Sequence, residues 1–278
     1  MNMRRAISSA IYTFAGVIGV LAFVYPFLLD TPATGSLGVA HGQDAMLVTT
    51  TLVGLSLVAL LVELQGQAIS AKTVALLGVM VAIASVLRFV EVAVPMPGGF
   101  SPIFTPIILA GYVFGGRFGF LMGTFTMLTS ALITGGVGPW LPYQMFTAGW
   151  VGMTAGWLGK ISRFQSPISN VIHAGGWRLE IALLSMFGFA WGLLYGAIIN
   201  VYFWPFAVGT AEQSWAPGIG VGEMLARYTT FYVATSLWWD LVRAAGNVAL
   251  ILLLGAPTVR ALTRYQRRFH FEVRSAHA

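Results

Sequence analysis

Cysteine is absent from all 278 residues, which excludes disulfides, a thiolate nucleophile and any cysteine-based metal site, and leaves the redox compartment unmarked. Charge is nearly as scarce: Asp, Glu, Lys and Arg make up 9% of the chain, against roughly 25% in a soluble domain. A fold built from this sequence cannot present a charged surface all round. Also missing are a Walker A loop, a DxxxD-type diphosphate pair, an HExxH zinc motif and a Gly-x-Ser-x-Gly elbow. The four histidines offer no intramembrane acid–base group, because His41 and His173 fall in loops and His270 and His277 in the tail. Alternating ten-residue segments of a membrane β-barrel are absent as well. No catalytic residue, cofactor or metal site is expected.

What the chain has is apolar length. Hydrophobic residues form 57% of it, and runs of about 20 residues, enough to cross the hydrocarbon core as helix, recur throughout. The expected fold class is all-α, a polytopic membrane helix bundle. Eight spans are read at 6–29, 45–62, 73–93, 102–115, 118–133, 143–159, 179–204 and 236–255. Residues 1–29 are read as a retained helix, since Tyr25, Pro26 and Phe27 stand where a signal peptide needs small residues.

The formal charge of +6 reports topology rather than a nucleic-acid partner. With the N-terminus cytoplasmic, Arg4, Arg5, Lys72, Arg117, Lys160, Arg163, Arg178 and the tail arginines from Arg260 to Arg274 share one side, leaving Arg88, Arg227 and Arg243 elsewhere. That bias places both termini in the cytoplasm. The basic stretch 258–269 continues the last helix, either attracted to anionic lipid or docking a cytoplasmic partner.

Two Gly/Pro-rich breaks, 95–106 and 134–144, fall on the outer face. Irregular backbone at membrane depth survives only inside protein or along a cavity, so the paired breaks point to a binding site. Ionisable residues within spans cost at least about 2.5 kcal/mol each and need a partner or a purpose. Arg88 and Glu91 (i,i+3) and Asp240, Arg243 and Asn247 lie near outer helix ends, with Gln144 and Asn200 at the same level. Either these charges lock helices together, with Arg88 meeting Asp240 or Glu91 meeting Arg243, or they line an outward-facing pocket. Phe100, Trp140, Tyr143, Trp204 and Trp215 supply aromatic surface there, as interface anchors or as faces for a flat ligand. Residues 221–235 are expected to form a surface helix. Small-x-x-x-small patterns (Ala71/Ala75, Gly78/Ala82, Gly119/Gly123, Gly149/Gly152/Gly156) permit close helix approach.

The stretch from Arg88 to Gly156, with PGGFSPIFTPIILAGYVFGGRFGF, GGVGPWLPYQM and GWVGMTAG, together with DLVRAAGN in 240–268, resembles the substrate-binding S components of energy-coupling factor vitamin transporters. The resemblance covers about residue 72 to the end. It implies a six-helix core, here residues 67–278, with residues 1–66 as an appended two-helix membrane extension that the six-helix pattern does not require. It implies capture of a vitamin-like small molecule near the outer face, cobalamin or another bulky ring vitamin before riboflavin-like competitors. It also implies a transmembrane coupling subunit and two ATPase subunits as partners within the lipid bilayer. On that resemblance Ala71, Ala75, Gly78 and Ala82 become coupling-interface candidates. Pro97, Gly98 and Gly99 belong to a gating loop, and Gly136, Gly138 and Pro139 to a second loop that closes with it. The rival readings are an intramembrane enzyme acting on a lipid or isoprenoid through Glu91 and Asp240, and a non-catalytic scaffold.

Overall fold

The computed structural model describes residues 3–24, 27, 51, 54–55, 58, 71–94, 98–163, 167–207 and 209–268. Its helices are α1 (Met3–Val24), α2 (Ala71–Ala93), α3 (Phe104–Phe114), α4 (Gly116–Thr134), α5 (Leu141–Arg163), α6 (Pro167–Phe203), α7 (Val221–Thr235) and α8 (Leu237–Arg268), with a 3-10 turn at Trp204–Phe206. No strand occurs among the described residues, and the molecule is an all-α membrane bundle. Most of the expected span 45–62 lies outside them. Among the described residues three helices are long and apolar enough to cross a membrane by themselves: α2 over Lys72–Ala93, α6 over Gly176–Phe206 and α8 over Leu237–Arg267. By contrast α3 has 11 residues, about 16 Å at 1.5 Å per residue, and is shielded by its neighbours along nearly its whole length.

Glycine decides how the centre packs. The α3–α4 hairpin turns on a single residue, Gly115, at φ 98°, a conformation that disfavours any side chain. A Cβ at Gly119 of α4 would strike the backbone of Gly152 on α5; Gly123 stands in the same relation to Ala148, and Gly156 to Gly116. The three helices therefore meet backbone to backbone, which is how membrane helices gain packing energy without a hydrophobic drive between them. This is the close approach that the glycine spacing on α4 and α5 predicts.

A second seam joins α6 to α8. Gly188, Gly192 and Gly196 recur every four residues, and a Cβ on each would meet Ile251, Ala244 and Asp240 respectively. Side chains from α7 and α8 bond directly to carbonyls along α6: Asn247 to Gly188 O at 2.9 Å, Arg243 to Gly192 O at 3.4 Å, Tyr232 to Leu193 O at 3.4 Å, and Tyr228 to Ala197 O. The surface helix α7 falls where the sequence places it, laid against α6. The α6 helix is longer than its expected span because helical turns already form before a kink at Gly176, where φ is 62°, and resume after it. The last helix runs past Pro257 to Arg268, as the basic amphipathic tail predicts.

Polar links tie the basic helix ends together. The Tyr112 hydroxyl of α3 lies 2.9 Å from Ser162 Oγ of α5 and donates to Glu180 Oε1 of α6 at 2.7 Å. On α8, Gln266 donates to Val113 O at 3.0 Å and Tyr265 to Lys72 O at 3.4 Å. Lys72, Arg117, Lys160, Arg178, Arg260, Arg264 and Arg267 all sit toward this end.

The added helix α1 runs along α5. Tyr12 meets Phe120 edge-on at 5.7 Å, Gly19 lies under Phe146 and Trp150, and Phe23 meets Tyr143 edge-on at 5.0 Å. The 4–7 residue spacing of these contacts keeps one face of α1 on the core.

Candidate functional site

At the end of the bundle away from the basic residues, α2, α3, α6 and α8 bring their polar side chains to one level. Asp240, 2% exposed, pairs with Arg243 one turn along α8. Its carboxylate occupies the space left by Gly196, so the glycine of α6 makes the room that the ion pair fills. The Arg243 guanidinium lies 5.2 Å from the ring centre of Tyr195 and 5.9 Å from that of Phe104. These two rings meet at 4.6 Å and 63°, an edge-to-face contact. Arg243 thus pairs with one oxygen of a buried carboxylate on one side and spreads its charge over two aromatic rings on the other.

Glu91 of α2 reaches the same cluster from the opposite wall, where Ser101 Oγ donates to its Oε2 at 2.8 Å. Arg88 and Arg243 both act electrostatically on Glu91 and on Tyr195. The cross-helix pairings expected from sequence, Arg88 with Asp240 or Glu91 with Arg243, are replaced by a local pair on α8. The i,i+3 spacing of Asp240 and Arg243 makes that pair without any need for a second helix.

The segment from Gly98 to Ser101 closes over this cluster. A Cβ at Gly98 would run into the indole of Trp239, Gly99 (φ 90°) presses on the Trp239 backbone, and the Phe100 ring covers Gly246. Glycine is required at both positions, one for clearance and one for its backbone conformation. The loop therefore lies along α8, pinned at its far end by the Ser101–Glu91 bond. Pro97 lies outside the described residues.

The second expected loop is organised differently. Trp140 folds back on its own turn, its indole N–H donating to Gly136 O at 3.1 Å with Gly138 beneath the ring, and it remains 47% exposed. Pro139 sits within this turn, and Gln144 is part-buried one turn into α5, its backbone N–H bonded to Trp140 O at 3.0 Å. Tyr143 is buried and stacks on Tyr202 of α6 at 3.8 Å and 22°. Tyr202 stands seven residues beyond Tyr195, about 10 Å along the helix. Asn200 donates to Ser236 Oγ at 2.6 Å and so fastens α6 to the start of α8, one turn above Asp240. Trp204 is buried, with its indole N–H on Gln213 O at 2.7 Å and its ring against Tyr228.

Of the expected ligand contacts, Arg88, Glu91, Phe100, Asp240 and Arg243 converge at one level. Trp140, Tyr143 and Gln144 lie on the α5 side, and Asn200 bridges above. Ser101 and Phe104 join the cluster from the 95–106 break, and Tyr195 joins it although no motif singles it out. The one signal for Tyr195 is its place within the glycine stripe of α6. No group of His, Asp and Glu suited to a metal occurs among the described residues.

On the outside of α2, Ala75, Gly78 and Ala82 form an exposed stripe flanked by Val79, Ile83 and Val86, and a Cβ at Gly78 would meet nothing within 4 Å. The side chain of Ala71 lies outside the described set. The added helix α1, on α5, leaves this stripe uncovered.

The molecule is thus a membrane bundle with a polar cluster at one end of a short-helix core and an exposed small-residue stripe on a spanning helix. The family model for the substrate-specific component of ECF transporters matches residues 72–255, and the chain belongs to that family. No curated protein and no solved structure matches it. The protein is accordingly a membrane transport component that associates with ECF transmembrane and ATPase subunits and a small-molecule substrate.

Proposed function

We propose that this S component captures a vitamin or related micronutrient at the Arg88–Glu91–Asp240–Arg243 level, with cobalamin or another bulky ring vitamin as the favoured ligand. Residues 67–278 form the binding core and residues 1–66 an extension. Both termini are cytoplasmic, which turns the cluster outward, and the concentration of Lys and Arg at the opposite end supports that orientation. The observation that carries the reading is the closure of the 98–101 segment over four charged side chains from two helices. Ligand enters when this segment lifts from Trp239 and Gly246. The ring surface of Phe100 and of the exposed Trp140 favours a large conjugated ligand, oriented by the few polar groups below.

The α2 stripe is the proposed seat of the coupling subunit, since small residues allow close helix approach. ATP hydrolysis in the partners then reorients the bundle, and specificity comes from contacts made only in the closed state.

A thermal-shift screen of the detergent-purified chain against a vitamin panel including cobalamin tests this directly. A ligand at about 100 times its Kd stabilises by about 2.7 kcal/mol, so one vitamin is expected to raise the melting temperature selectively. Arg88→Ala and Asp240→Ala should weaken that response. Unchanged affinity in both, in folded protein, would place the ligand elsewhere.

A further inference from the structure

A pocket of about 410 Å³ opens at the basic end of the bundle, between the added helix and the core. Its walls are Tyr12 and Gly16 of α1, Gly116 and Arg117 of α4, and Met153 and Trp157 of α5. Gly16 creates the room on one side, where a Cβ would meet nothing within 4 Å. On the other, the position of a Cβ on Gly116 lies 3.5 Å from both the Trp157 indole nitrogen and Met153, so these side chains make the floor.

Charge and apolar surface are arranged along this pocket in a definite order. The Arg117 guanidinium lies 5.8 Å from the ring centre of Tyr12, whose own position is fixed by Phe120. Lys160, exposed, follows Trp157 by one turn on the same helix. No acidic side chain is among the described residues that line the pocket. Away from these cations α1 presents apolar surface, with Phe14 and Val17 exposed, and Trp157 is exposed on α5 beside the pocket. Basic side chains at one level, Tyr and Trp beside them and exposed aliphatic surface below match the order of phosphate, interface and acyl chain in a lipid leaflet.

We propose that this pocket binds one anionic phospholipid, its phosphate at Arg117 and Lys160 and an acyl chain along Phe14 and Val17. A free anion would use the cations but not the apolar floor, and the continuity of the two favours lipid. The bound lipid would fill the gap between α1 and the core and fasten the extension to it. The proposal goes beyond the transport reading and depends on neither the vitamin nor the ATPases.

Native mass spectrometry of the full chain, released from detergent with equimolar phosphatidylglycerol and phosphatidylcholine, is the test. One phosphatidylglycerol is expected to be retained in preference. Arg117→Gln, which removes charge without touching the apolar floor, should lower its occupancy about fivefold and leave phosphatidylcholine unaffected. Gly16→Leu, which fills the space, should lower both; should that variant fail to fold, Arg117→Gln decides alone. Equal retention of the two lipids by the wild type, or unchanged phosphatidylglycerol in Arg117→Gln, would overturn the proposal. Displacement by excess inorganic phosphate would overturn the lipid assignment in favour of a free anion.

Discussion

Asp240 is the residue on which the cluster depends. It is buried, paired with Arg243 and seated in the notch left by Gly196. Arg243→Ala would leave that carboxylate buried without its counter-charge, and loss of one partner of a buried pair costs about 3–5 kcal/mol. Thermal unfolding of the variant is expected to show a loss of that order. Gly196→Ala places a methyl where the carboxylate lies, and overpacking of this kind costs about 1–3 kcal/mol. The same measurement should rank it below Arg243→Ala. Arg88, Glu91, Asp240 and Arg243 were legible because a charge inside an apolar span is conspicuous. Tyr195 was not, because aromatic residues are ordinary in such helices, and Phe104 and Ser101 were marked only as part of the 95–106 break. Their role arises from meeting Arg243 and Glu91 across helix boundaries.

At the scale of the element, glycine spacing does most of the specifying. Gly152→Ala would drive a methyl into the backbone of Gly119, with an expected loss of about 1–3 kcal/mol, read as a lower melting temperature at unchanged helix content. The glycines of α4 and α5 announce close packing in the sequence. Gly188, Gly192 and Gly196 carry the same signal, yet nothing in their spacing says that α8 is the helix they meet. The exposed stripe on α2 makes a different prediction. Gly78→Leu together with Ala82→Leu should leave ligand binding intact, since neither residue faces the cluster, while ATP-driven uptake by the reconstituted complex falls tenfold or more, the factor given by about 1.4 kcal/mol of lost interface. Equal loss of binding and uptake would remove α2 from the coupling interface.

For the molecule as a whole, the proposed division into an extension and a binding core makes its own prediction. Deleting residues 1–66 exposes the α5 face to lipid rather than water, so the loss is one of packing contacts more than of hydrophobic transfer. Binding of the small-molecule substrate should survive, and the melting temperature should fall by about 2–4 °C for each kcal/mol of lost packing, as followed by differential scanning fluorimetry. The amino-acid sequence by itself determined that this chain is an all-α membrane protein, where α2 to α5 begin and end to within a few residues, and that the ionisable residues inside its spans gather toward one end, whereas α6 starts well before its expected span. Those properties follow from local composition, since apolar length, glycine, proline and charge act on the chain near their own positions. Only the tertiary structure decided that Arg243 pairs along its own helix rather than across the bundle, that residues 98–101 lie on α8, and that α1 leaves the α2 stripe bare. Each of these depends on which helices become neighbours, and side-chain shape, hydrogen-bonding partners and the clearance at each glycine settle that only once the bundle has closed.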